Sequence, residues 1–78
     1  MITAEQIRMA RAGLNISLRE LSKTTGIAQS TIQRFESGRG GMLATTLARL
    51  EAAFIAKGVE FQNANEQQGP GVRLRKSL

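Results

Sequence analysis

A mainly helical chain ending in a short β-hairpin is the fold class the sequence predicts, and three observations predict it. Apolar residues recur at helical spacing from Ile7 to Ile55. Capping and stop residues cut that run into four pieces. After Gly58 the period changes to strict apolar-polar alternation. With 78 residues the chain makes one small domain with a modest core. Residues 1–58 read as the helical domain and residues 59–78 as a C-terminal hairpin or tail.

Thr3 is a plausible N-cap for the first helix, with Glu5 and Gln6 following at the positive end of the helix dipole. Ile7, Met9, Ala10 and Leu14 supply its buried stripe, and Arg8 points outward. Gly13 and Asn15 both tolerate the left-handed conformation that ends a helix. Asn15 is preferred, because a capped helix restarts two residues later; Gly13 is then a close packing contact or a mild weakness. Ser17 caps that second helix, Glu20 completes a capping box, and Ile16 and Leu21 are placed to staple its entry. Leu18, Leu21 and Ser22 face inward, leaving Arg19, Glu20 and Lys23 outside. Thr24-Thr25-Gly26 ends it.

The third helix has Ile27, Ile32 and Phe35 as apolar anchors. Its other face is Gln29, Ser30, Thr31, Gln33, Arg34 and Ser37, almost all hydrogen-bonding side chains. From Ser37 to Met42 the chain turns, with Gly38, Gly40 and Gly41 bracketing Arg39. Such a loop either cradles a phosphate on its N–H groups or simply connects two helices. It does not match a nucleotide-binding P-loop, which needs wider glycine spacing and a lysine before Ser or Thr. Leu43 to Lys57 is the last helix, with Leu43, Leu47, Leu50, Phe54 and Ile55 as a core stripe and Thr45 as an alternative cap. Gly58 terminates it.

Val59-Glu60-Phe61-Gln62 and Val72-Arg73-Leu74-Arg75 then read as two antiparallel strands around a polar loop, Asn63 to Gly71. Val59 and Phe61 share a face with Val72 and Leu74. A lone hairpin is marginal in water. It therefore packs on the last helix or pairs with the same hairpin of a second subunit; the alternative is a disordered basic tail.

The formal charge is +5, and the sequence pI is near 11.2. That balance favours a polyanionic partner, nucleic acid or an acidic membrane surface. The chain has no histidine, cysteine, tyrosine, tryptophan or aspartate, and its glutamates are scattered. That inventory argues against a zinc site, and nucleophilic catalysis would lack a histidine base. No enzyme, metal, cofactor or small-molecule ligand is expected. Disulfides are impossible, no apolar run approaches a membrane span, and no signal-peptide pattern opens the chain. A soluble protein of the cytoplasm is the expectation.

Leu21, Ser22, Gly26, Ile27, Ile32 and Phe35, followed by Glu36-Ser37-Gly38, form a core pattern that resembles the helix-turn-helix of the Cro and phage-repressor (XRE-type) family. The resemblance covers Gln6 to Phe54. Three positions depart from it. Leu18 stands where a phosphate-contacting glutamine is usual, Thr25 where an apolar residue is, and Ala28 where a serine or threonine cap is. The resemblance implies a compact four-helix, lambda-repressor-like domain whose third helix enters the major groove of double-stranded DNA. Gln29, Ser30 and Arg34, then Thr31 and Gln33, are the implied base-reading residues. Ser17, Arg19, Lys23, Arg39 and Thr45 are the implied phosphate contacts. Arg11, otherwise an ordinary solvated charge, is implied to pair with Glu36.

The function implied is a bacterial or phage transcriptional regulator acting on the nucleoid, a repressor that occludes a promoter. It would bind an inverted repeat as a homodimer joined through Val59, Phe61, Val72 and Leu74. An antitoxin-like module is the alternative, with Arg73, Arg75 and Lys76 as its docking segment. RNA binding is disfavoured by the shortage of aromatic residues.

Overall fold

In the computed structural model, which describes residues 1–76, local capping chemistry sets the helix boundaries. Thr3 Oγ1 accepts the Gln6 N–H at 3.2 Å while Gln6 Oε1 accepts the Thr3 N–H at 2.9 Å, which starts α1, Ala4–Leu14. Asn15, at φ 55° and ψ 44°, stops it in the left-handed conformation. There the Asn15 and Ile16 N–H groups close back on the Ala12 and Arg11 carbonyls. Ser17 and Glu20 repeat the capping box for α2, Leu18–Thr25, and Gly26 at φ 74° ends it. Helix α3 is Gln29–Glu36 and α4 is Ala44–Ala56. Strands β1, Val59–Gln62, and β2, Gly71–Leu74, pair antiparallel with Val59 opposite Leu74 and Phe61 opposite Val72; β2 lies one residue earlier than the expected Val72–Arg75, because Gly71 is itself paired with Gln62.

The core joins the four helices and β1, and β2 adds the partly buried Val72. Ile2, Ile7 and Ala10 meet Leu21, Ile27 and Ile32, then Leu47, Leu50, Phe54 and Val59. Full burial of each large side chain contributes about 1.5–3 kcal/mol, a substantial share of the stability of so small a domain. Four details of the stripes differ from the sequence expectation. Met9 is 37% exposed and Ile55 45%, because α1 and α4 are covered along narrower strips than their apolar residues could fill. Leu43 is 76% exposed, standing at the N-cap of α4 rather than in its core stripe. Thr45 lies inside the helix and caps nothing; no side chain caps α4.

The hairpin is integrated into the helical domain. Val59 is buried in the common core, and the Phe61 ring meets Phe54 edge-on at 6.0 Å between centroids. Leu74 lies on α1 at Gly13, where an added Cβ would stand 3.1 Å from Leu74 Cδ1, so Gly13 is a close packing contact. The firmest tie is Gln6, buried almost completely. Its Nε2 donates to the Gln62 carbonyl at 2.8 Å and to the Gly71 carbonyl at 2.9 Å, spanning both strands. One amide thus caps its own helix and clamps the hairpin. Gln6→Glu would set a carboxylate against two carbonyl oxygens. It is expected to destabilise the chain by about 2–3 kcal/mol, more than Gln6→Ala, as measured by urea denaturation.

Candidate nucleic-acid interface

The turn between α2 and α3 is built by Thr25 and Gly26. Thr25 Oγ1 donates to the Leu21 carbonyl at 2.8 Å and accepts the Ile27 N–H at 3.2 Å. The hydroxyl that departs from the apolar pattern therefore bridges the turn. Burial of Ile27 and Ile32 then fixes the rotation of α3 about its axis. Gln29, Ser30, Gln33 and Arg34 are left exposed on one side, with Thr31 half-buried at its margin. Gln29 with Gln33, and Ser30 with Arg34, are four residues apart and stand one above the other. Ala28 has no side chain able to cap α3, and the Thr31 N–H bonds the Ala28 carbonyl at 3.1 Å, which leaves the Gln29 and Ser30 amides without an intrahelical acceptor.

The far end of α3 closes in a Schellman turn. Gly38, at φ 74°, donates to the Phe35 carbonyl, and the Arg39 N–H reaches back to the Arg34 carbonyl at 2.9 Å. This fold-back brings the loop beside Arg34: a Cβ on Gly40 would lie 3.6 Å from Arg34 Nε. Arg39 is exposed directly after the turn, and Arg19, Lys23 and Thr45 are exposed on α2 and α4. Ser17 is already engaged, since its hydroxyl accepts the Glu20 N–H at 3.0 Å and the Glu20 carboxylate occupies the same helix start.

Helix α1 holds α3 from behind. Arg11 meets Glu36 through two parallel bonds, Nε to Oε2 at 2.7 Å and Nη2 to Oε1 at 3.0 Å, while Nη1 donates to the Ile16 carbonyl at 3.1 Å. The Glu36 side chain is 8% exposed and that of Arg11 25%. The hydrogen bond to Glu36 raises the Arg11 pKa, against a smaller opposing effect of burial. Arg8, expected to point away from the protein, instead donates through Nη1 to the backbone carbonyl of Glu36. The only sequence hint was its spacing: Arg8 and Arg11 are three apart and share a helix face.

A short helix with a sealed apolar back, an open row of polar side chains and a neighbouring helix set across a tight turn defines a DNA-binding helix-turn-helix domain. A family model described as helix-turn-helix matches residues 7–59, and the chain belongs to that family, the Cro/C1-type or XRE helix-turn-helix proteins. No curated protein matches the chain. Membership makes it a DNA-binding transcription regulator. Among the described residues, no helix is long and apolar enough to cross a membrane.

Proposed function

We propose that the chain is a sequence-specific repressor that binds an inverted repeat as a homodimer, reading base edges in the major groove with α3. The observation that carries this is the exposed row Gln29, Ser30, Gln33 and Arg34 on a helix whose opposite side is locked into the core. Glutamine pairs bidentately with adenine, arginine with guanine O6 and N7, and hydroxyls with several edges. Arg19, Lys23, Arg39 and Thr45 supply backbone contacts that set register. Ser17 adds to these only by sharing its capping hydroxyl. Occlusion of a promoter on the nucleoid is the mechanism that binding by such a domain supplies by itself.

A single domain of this size covers too little DNA for high selectivity, which is the case for a dimer. Two copies related by a two-fold axis would place their α3 helices about 34–36 Å apart. Val59 is committed to the chain's own core, and Phe61 and Val72 pack against it. A second copy would therefore meet the hairpin at its strand edges and at Leu74, which is 41% exposed. Sedimentation at micromolar concentration checks this; monomer alone, on and off DNA, rejects the dimer.

The test of DNA reading is fluorescence anisotropy against the gene's own upstream DNA and against scrambled duplex, over a salt series. Phosphate contacts make both affinities fall steeply with salt. A preference of roughly a thousandfold for the upstream duplex is expected of a self-regulating repressor. Equal affinities there, and no enriched sequence after random-site selection, reject sequence-specific reading.

A further inference from the structure

We propose that Arg8 is a positioning residue for the recognition helix: with Arg11 it fixes the C-terminal turn of α3 at two points, and the geometry of base reading depends on that second point. This rests on α3 being the helix that reads DNA.

Consider which carbonyls at the end of α3 have partners. An α-helix leaves its last four carbonyl groups without intrahelical donors. Gln33 O accepts the Ser37 N–H, Arg34 O the Arg39 N–H, and Phe35 O the Gly38 N–H, all within the closing turn. Glu36 O is the one the turn does not reach, and Arg8 takes it. A cation there also meets the negative end of the helix dipole. Arg11 meanwhile grips the carboxylate of the same residue. The core contacts of Ile32 and Phe35 fix the rotation of α3 about its axis; a grip on the backbone of Glu36 adds a restraint on its last turn that a bond to the flexible carboxylate does not supply. Arg34 lies two residues before Glu36, and its approach to a base edge inherits the helix's orientation directly. Arg8 is exposed, like the chain's other surface cations, yet its guanidinium is turned to the protein. It acts through α3, without touching DNA.

The experiment uses the full chain and an operator obtained by random-site selection with the unmodified protein. Arg8→Ala, Arg8→Lys and Ile2→Ala are compared by anisotropy on operator and scrambled duplex across salt, with a melting curve for each. Ile2 is a core residue outside the binding surface, so Ile2→Ala reports what loss of stability alone does. Arg8→Ala is expected to weaken operator binding about tenfold, the worth of a hydrogen bond to a charged group. Affinity for scrambled duplex and the salt slope should be unchanged, and Arg8→Lys, which keeps one donor, should recover part of the loss. The ratio of the two affinities should be unaffected in Ile2→Ala.

Equal weakening on both duplexes, with a salt slope reduced by about one, would make Arg8 a phosphate contact and overturn the proposal. So would an unchanged ratio in Arg8→Ala, or an equal fall of the ratio in Ile2→Ala. Failure of the unmodified protein to prefer any sequence would show itself before any variant is made, and would remove the reading of α3 on which the proposal rests.

Discussion

Arg11→Ala is expected to destabilise the chain by about 3 kcal/mol, the lower end of what breaking a buried ion pair costs. The lower end applies because a quarter of the Arg11 side chain is already in contact with water. The loss comes mainly from Glu36, a carboxylate 8% exposed in the intact pair that would lose both guanidinium bonds. For a domain of this length such a loss lowers the melting temperature by roughly 12–24 °C. Differential scanning calorimetry of Arg11→Ala, Glu36→Ala and the double variant measures the coupling. The double variant should be less destabilised than the sum of the two, because it removes both charges together. Additive losses would show that the pair contributes little beyond packing. The pair's arginine adds no pH dependence near neutrality. Its pKa is raised, so its stabilising effect is complete below the ordinary arginine value. It is lost only as pH climbs through the still higher folded value.

Arg34→Ala is expected to remove about 1–3 kcal/mol of discrimination at one base position of each half-site, and Gln29→Ala a similar amount at another. The two differ in the base they release: preference for guanine should relax in the first and for adenine in the second. Binding measured on operators with single substitutions separates them. Arg39→Ala should behave differently, weakening every duplex alike and lowering the salt slope by about one, because a phosphate contact carries no sequence information. A uniform loss from Arg34→Ala would move that residue to the phosphate group. Loss of preference at several positions at once would indicate that the helix had shifted, the signature expected of Arg8 and not of a base-reading residue.

Much of this fold is legible without coordinates because it is specified over three or four residues. Thr3 with Gln6 and Ser17 with Glu20 are capping boxes whose partners are local in the chain. Asn15 and Gly26 stop helices because their own backbones tolerate positive φ. The alternation in Val59–Gln62 and from Val72 onward marks the two strands in the same way, while their register, Val59 opposite Leu74, comes from the pairing itself. The polar row on α3 follows from the spacing of Ile27, Ile32 and Phe35.

What the sequence by itself determined, then, was the kind of each element, the capped ends of α1 and α2 and which side of α3 is polar, since these rest on short-range sterics, hydrogen bonding and periodicity. Tertiary structure alone decided how far each apolar stripe is covered, leaving Met9, Leu43 and Ile55 in water. It also decided the partners of the long polar side chains. Gln6 reaches carbonyls 56 and 65 residues away, and Arg8 one 28 residues away. The Arg11–Glu36 pair spans 25 residues and was anticipated through resemblance, without any help from spacing. The physical reason is one of range. A cap or a turn is chosen by neighbours the chain cannot avoid, whereas a flexible amide or guanidinium takes whichever acceptor the packed core brings within 3 Å.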